Sequence, residues 1–365
     1  MDATSLSIRD FASQQLNSLL HSVHLGETAD KSVELLSETL GPGGFRALNK
    51  TVSWPSDVAD DNTPFEFSTA FAEGEPTTVR VLVEPTAHEP GALANMDAAL
   101  DVLDTLVRRY DLPRDRFDAV RDLFLPADPQ GAFSLWYSLV FRKDTPPAIK
   151  VYFNPEARGQ AEAPLLVEEG LNRLGFGPGH ATVVDHAVRR GPGMDRYSFF
   201  ALDLTEDPLA RVKVYISHFD ATAADAEEAA RAAKGVDPGR VQDFCLLSSG
   251  STGPFTERPL ISSYTFMAGD AARPSGYSLY VPVRCYVEDD QEARARVLDL
   301  MTNYDVDPSA FENALASIAR RPLDDGVGLI AHVSLRMGAP RPGVTVYLSS
   351  EAYDTAPPRA MTLAH

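Results

Sequence analysis

The sequence predicts an α+β fold: ten antiparallel strands in five repeats, closed into a barrel around a central chamber and surrounded by a ring of α-helices. Three observations predict it. First, strand-like stretches recur with the same residue types in the same alternation. In Arg211-Val212-Lys213-Val214-Tyr215, alternation puts Arg211, Lys213 and Tyr215 on one face and the valines on the other. Ile149-Lys150-Val151-Tyr152 repeats the cation–x–tyrosine spacing, Val79-Arg80-Val81-Leu82-Val83 repeats the cation, and Tyr277-Ser278-Leu279-Tyr280 and Val344-Thr345-Val346-Tyr347 repeat the tyrosine. Second, the aligned positions Arg80, Lys150, Lys213, Tyr280 and Thr345 are separated by 70, 63, 67 and 65 residues, the period of an internal repeat. Third, amphipathic segments lie between the strand pairs. Their apolar stripes need an apolar surface, and the valine faces supply it. The Arg/Lys/Tyr faces then line the interior. Ten equal strands favour closure over exposed edges, and that number leaves a lumen wide enough for a ligand.

The elements follow in order. Residues 5–22 and 30–48 read as helices, ending at the Gly41-Pro42-Gly43-Gly44 breaker. Strands are expected over 65–71 and 77–84, then a helix over 93–110. Strands over 133–142 and 149–154 flank a Thr145-Pro146-Pro147 turn, and a helix covers 162–174. Strands over 197–204 and 211–218 flank an Asp207-Pro208 turn, followed by an alanine-rich helix over 223–233. Strands over 260–267 and 277–287, helices over 290–304 and 308–319, and strands over 329–336 and 343–348 complete the chain. Gly175-x-Gly177-x-Gly179 reads as a helix-ending turn, and Ser248 to Gly253 as a polar loop without P-loop chemistry. The whole, residues 1–365, is expected to be a single domain, with N-terminal helices over 1–50 and a loose tail over 356–365.

Composition narrows the function. A net charge of −19 argues against nucleic acid or an anionic membrane as partner. No apolar run is long enough to span a bilayer, and the N-terminus lacks signal-peptide features. Two cysteines, Cys245 and Cys285, form no metal or disulfide pattern and fit a reducing cytoplasm. Against that acidic background, four cations on like strand faces suggest a small anionic ligand.

Pro64-Phe65-Glu66-Phe67-Ser68, Val79-Arg80 with Glu84-Pro85, Lys150-x-Tyr152, Arg211-x-Lys213-x-Tyr215 and Tyr280-x-Pro282-Val283-Arg284 together resemble the dimethylallyltryptophan synthase family. These are indole prenyltransferases of the ABBA (α-β-β-α) barrel fold, and the resemblance runs from about residue 5 to 355. Length and the ending Pro342 to Tyr353 resemble the bacterial branch that prenylates free tryptophan on its benzene ring. The resemblance implies transfer of a dimethylallyl group from dimethylallyl diphosphate to the indole of L-tryptophan, with C6 the favoured carbon.

The implied roles match the residue chemistry. Neither Asp60-Asp61 nor Asp289-Asp290 completes a DDxxD magnesium motif, so both read as solvated turns or helix N-termini. The resemblance implies no cofactor and no requirement for Mg²⁺: Arg80, Lys150, Arg211 and Lys213 neutralise the diphosphate instead. Ser278 stands where some relatives place Gln or Lys on the diphosphate. Tyr152, Tyr215, Tyr280 and Tyr347 shield the allylic cation. Glu66 accepts the indole N–H, and Trp136 stacks on the aromatic substrate or packs in the core. His218 and His332 are candidates for the base that removes the ring proton, and Tyr353 reads as terminal packing. Other readings stay open at this point: a tryptophan-containing cyclic dipeptide or another indole or phenol as acceptor, or a non-catalytic barrel that binds an anionic or aromatic metabolite. Oligomeric state, monomer or homodimer, is also open.

Overall fold

In the computed structural model, which describes residues 6–49, 51–270, 272–338 and 341–359, ten strands close on themselves with every neighbour antiparallel. In chain order they are β1 (Phe65–Phe71), β2 (Thr78–Val83), β3 (Leu135–Phe141), β4 (Ala148–Phe153), β5 (Asp195–Asp203), β6 (Val212–His218), β7 (Leu260–Phe266), β8 (Gly276–Val281), β9 (Ile330–Met337) and β10 (Gly343–Leu348). Each strand pairs with its sequence neighbours, and β1 pairs with β10, with Phe67 opposite Leu348, to seal the ring. Closure leaves no strand edge among them.

The valine faces point outward as expected. Val79, Val81, Val83, Val212, Val214, Val344 and Val346 are fully buried in one apolar cluster that runs from Ile8 to Leu348. The surrounding helices supply the other half of that cluster. Helix Ile8–Ser22 starts at a capping box, Ser7 with Asp10, and buries Phe11, Leu16, Leu19 and Leu20. Further helices span Ala29–Thr39, Ala92–Tyr110, Ala163–Arg173, Ala223–Ala230, Asp290–Asn303 and Ser309–Ile318.

Several boundaries differ from the expectation. The second helix stops at Thr39, before the breaker, because Gly41 takes a left-handed φ of +67°. Arg211 precedes β6 rather than opening it. The glycine-rich stretch does end a helix, through Gly175 at φ +85°, but Gly177–Ala187 is a new helix. Gly179 lets that helix approach the barrel, since a Cβ there would lie 2.8 Å from the Phe266 ring. Ser248 and Ser249 belong to an unanticipated helix, Gly239–Ser249, which Gly250 ends in the left-handed region. Of the expected loose tail, residues 360–365 lie outside the described residues, as does residue 5 of the first expected helix.

The two acidic pairs are not merely solvated turns. Asp60 is largely buried between Arg258 and Arg284. Asp289 does cap a helix, accepting the Glu292 N–H at 2.8 Å. Asp290 is fully buried. Its carboxylate accepts the backbone N–H groups of Gly328, Leu329 and Ile330 at 3.1, 3.1 and 2.9 Å and pairs with Arg321 at 2.5 Å. One side chain thus ties the start of a helix to the entry of β9. Asp290→Ala is expected to lower the unfolding free energy by about 3–5 kcal/mol, because it strands three buried donors and a cation. Urea denaturation measures this, and a loss below about 1 kcal/mol would contradict the role.

Candidate active site

The hairpin turns gather at one end of the barrel, and the strand–helix connections at the other. Side chains that alternate inward along ten strands therefore sort into two groups by height. Near the hairpin turns lies a chamber of about 310 Å³ lined by Arg80, Arg142, Lys150, Arg211, Lys213 and Arg336, with Ser278 and Thr345. Near the helix connections lies one of about 380 Å³ lined by Glu66, Trp136, Phe133, Phe199 and His332, with Arg196 and Arg258 at its rim. Tyr152, Tyr215, Tyr280 and Tyr347 line both. They stand as a chain of rings with centroid separations of 5.8, 6.0 and 5.7 Å.

The β ladder fixes this arrangement. Lys150 sits opposite Ser138 on one side and Asp203 on the other. Ala201 sits opposite Lys213, and Ser278 lies between Ser263 and Arg336. Tyr280 faces Ser334, and Tyr347 lies between Ser68 and His332. All four sequence-predicted cations, Ser278 and all four tyrosines point into the barrel.

Electrostatics distinguish the two chambers. Burial, with Arg211 and Arg80 adding to it, lowers the Lys150 ammonium to about 7, and nearby Asp203 opposes this. Burial and then Lys150, Arg211 and Arg80 hold Lys213 well below the usual lysine range. The Lys213 Nζ lies 5.1 Å over the Tyr215 ring, so the cationic layer rests directly on the tyrosines. Burial pushes the Tyr152 phenol up to about 12, so it stays protonated.

Across the tyrosines the walls are aromatic. Trp136 stacks on Phe133 at 3.9 Å and lies 5.5 Å from Phe199. It is buried and also lines the chamber. Glu66 is buried on the inward face of β1, opposite Leu82, and no hydrogen bond engages it among the described residues. Burial, and then Asp60, raise its carboxyl well above the usual range. His332 is inside, and burial lowers it to about 4, which leaves it neutral at ordinary pH.

The other histidine candidate is elsewhere. His218 follows the outward alternation of β6 and is buried between Asp195 at 2.8 Å and Ser262 at 2.9 Å, outside the chamber. It is not placed to act as the base. Tyr353 donates its backbone N–H to Asp61 at 3.1 Å, outside both chambers.

Arg336 and Arg142 were not among the sequence-predicted cations. The signal for Arg336 was present, since His332, Ser334 and Arg336 alternate on one face of β9. Phe133 and Arg258 carried no such signal. Phe199 and Asp203 share the inward face with Ala201 by simple alternation, and the β5–β6 register slip lies beyond them, between Tyr197 and Phe199.

Comparison with known proteins agrees with this geometry. The family model for tryptophan dimethylallyltransferase matches residues 33–313. The 6-dimethylallyltryptophan synthase from Micromonospora olivasterospora, solved in complex with DMASPP and Trp, is 49% identical with a TM-score of 0.93, covering 97% of this chain and 100% of that one. The 5-dimethylallyl tryptophan synthase from Streptomyces coelicolor, also with DMASPP and Trp, is 35% identical with a TM-score of 0.88, covering 99% and 100%. The prenyltransferase PriB, solved with product diphosphate, is 36% identical with a TM-score of 0.89, covering 97% and 99%. With matching family model, full-length coverage and a shared ABBA barrel, the chain belongs to the tryptophan dimethylallyltransferase family.

Proposed function

We propose that this protein transfers the dimethylallyl group of dimethylallyl diphosphate to C6 of the indole ring of L-tryptophan, releasing diphosphate and using no metal ion. The observation that carries the reading is the tyrosine partition. It separates a cationic chamber from an aromatic one lined by Glu66, which no hydrogen bond engages among the described residues.

Each step follows from a side chain on one side of that partition. The donor's diphosphate lies among Arg80, Lys150, Arg211, Lys213 and Arg336, with Ser278 as a hydroxyl contact. Guanidinium forks and ammonium groups there take the increasing negative charge as the C1–O bond breaks. Among the described residues, no group of three His, Cys, Asp or Glu side chains is placed to hold a metal ion. The allylic cation then faces Tyr152, Tyr215, Tyr280 and Tyr347. Their π faces each stabilise it by about 0.5–2 kcal/mol and offer no nucleophile stronger than a protonated phenol.

The acceptor indole lies against Trp136, Phe133 and Phe199. Its N–H donates to Glu66, whose raised affinity for a proton makes it a strong acceptor. Positive charge delocalises onto the indole nitrogen as the ring carbon attacks, so Glu66 stabilises the transition state more than the ground state. The arenium ion is so acidic that a weak base suffices, and the neutral His332 imidazole is the group assigned to receive its proton. The amino-acid end of tryptophan reaches the rim, where Arg196 and Arg258 are suited to the carboxylate. The ring position is supported by likeness: the relatives near half identity are 6-dimethylallyl synthases, whereas the 5-dimethylallyl enzymes are 35–36% identical. A reducing cytoplasm suits the two buried free thiols, Cys245 and Cys285, and no helix among the described residues is long and apolar enough to cross a membrane.

Incubation with L-tryptophan and dimethylallyl diphosphate in EDTA should give a product heavier by one C5H8 unit, whose proton NMR spectrum lacks the indole H6 signal. A loss of H5 or H7 instead would relocate the acceptor pose, and no product would overturn the reading. Glu66→Gln should fold normally and lose about 10²-fold or more in kcat, as for other deleted transition-state contacts. A rate near wild type would remove Glu66 from its role. Lys213→Ala should raise KM for the donor about tenfold or more while leaving KM for tryptophan within about twofold. Equal effects on both would mean that the partition does not separate donor from acceptor.

A further inference from the structure

Two cations that line the cationic chamber, Lys150 and Arg211, rest on a carboxylate that the transfer reaction does not use. Asp203 is the last residue of β5, directly opposite Lys150 in the ladder, and its side chain is 12% exposed. One oxygen lies 3.1 Å from Lys150 Nζ. The other accepts Arg211 Nε at 2.7 Å and the Arg211 backbone N–H at 3.1 Å. Arg211 stands just before β6, and the Asp203 backbone N–H donates to its carbonyl at 3.0 Å. The carboxylate adds a second hold on the Arg211 backbone, fixes its side chain, and holds the head of Lys150.

Its surroundings are one-sided. Lys150 meets Arg80 from β2, Ser138 from β3, and Arg211 and Lys213 from the β6 side, with Arg142 following β3 and Arg336 on β9 at the same end. Arg116, on the helical turn Asp115–Asp118, adds a further positive charge near Asp203. Among the described residues, the acid that lines this chamber itself is Glu75, at the rim, 3.8 Å from Arg336. A buried ammonium surrounded by guanidinium groups loses its proton unless an anion is in contact with it. Asp203 is that anion for Lys150.

We propose that Asp203 is the positioning residue of the donor site: it aligns Arg211 and holds Lys150 in its charged form before the diphosphate arrives. The inference rests on the cationic chamber being the diphosphate site. The directions of the shifts agree with it. Asp203 opposes the lowering of Lys150, which ends at about 7, whereas Lys213, with no carboxylate in contact among the described residues, is held well below the usual lysine range. Lys150 is thus largely charged below pH 7 in the free protein, and diphosphate supplies the compensating charge above it. Without Asp203, Lys150 would be neutral in the free protein at pH 6.5 and would take up a proton when diphosphate binds.

Calorimetric titration of inorganic diphosphate into the full chain, in buffers of different ionisation enthalpy at pH 6.5, reads that proton. Asp203→Asn should take up about half a proton or more beyond wild type, with the alkaline limb of donor kcat/KM moved to lower pH. Asp203→Glu, which keeps the charge, should return the uptake toward wild type. A residue that only braces the fold would change affinity and leave the proton count unchanged, and that result overturns the inference. If wild type does not bind diphosphate, or if Lys213→Ala does not weaken it, the donor-site reading fails and this inference fails with it. Should Asp203→Asn not fold, the ¹³Cε resonance of Lys150 in the free wild-type protein decides: titration near pH 7 supports the role, and titration more than about one unit lower overturns it.

Discussion

Everything in this protein depends on holding several positive charges out of water inside a chain whose net charge is −19. Buried cations repel one another and lose solvation, and two of them, Lys150 and Lys213, respond by binding protons less tightly. A barrel whose outer face carries the apolar core makes such an interior possible, because the fold's stability does not depend on packing the lumen. The helices bury the valines, and the lumen is left for chemistry. In the proposed function, diphosphate is the ligand that relieves the repulsion. The free energy stored in the unneutralised chamber is therefore directed at the leaving group, where charge increases during the reaction.

In the proposed reaction, the tyrosine rings turn two adjoining spaces into a reaction path. On one side, charge draws electrons away from C1 of the donor. On the other, in that reading, Glu66 accepts the indole N–H and takes up part of the positive charge that develops on the nitrogen. The rings between stabilise a cation without trapping it, and closure keeps out the water that would quench it. In the same reading, the apolar walls around Trp136 orient the acceptor, and orientation decides which ring carbon meets the cation.

How much of this was legible in the sequence follows from which contacts are local. Hairpin strands carry their faces as a period of two, so Arg80, Lys150, Lys213, Tyr152, Tyr215, Tyr280 and Tyr347 could be assigned inward from alternation and repeat spacing alone. The same rule, applied to β9, would have found Arg336, and applied to β6, would have sent His218 outward. Residues that enter from connections gave no periodic signal. Asp60 and Arg258 reach the acceptor rim from segments leading into β1 and β7, and their approach depends on barrel closure. The contact of Asp203 with Lys150 depends on a pairing between strands about 50 residues apart. The helices Gly177–Ala187 and Gly239–Ser249 escaped notice because glycines and serines blurred their apolar stripes. Family likeness supplied the roles, which alternation could not.

The central claim is that donor and acceptor occupy opposite sides of the tyrosine chain. A crystal structure of this protein with L-tryptophan and a non-hydrolysable dimethylallyl diphosphate analogue tests it most directly. The account predicts the diphosphate within hydrogen-bond reach of Lys150, Lys213 and Arg80, the indole N–H on Glu66, and the prenyl chain crossing between them past Tyr215 and Tyr280, with C1 facing C6. Diphosphate bound beside Glu66, or tryptophan lying among the cations, would contradict it.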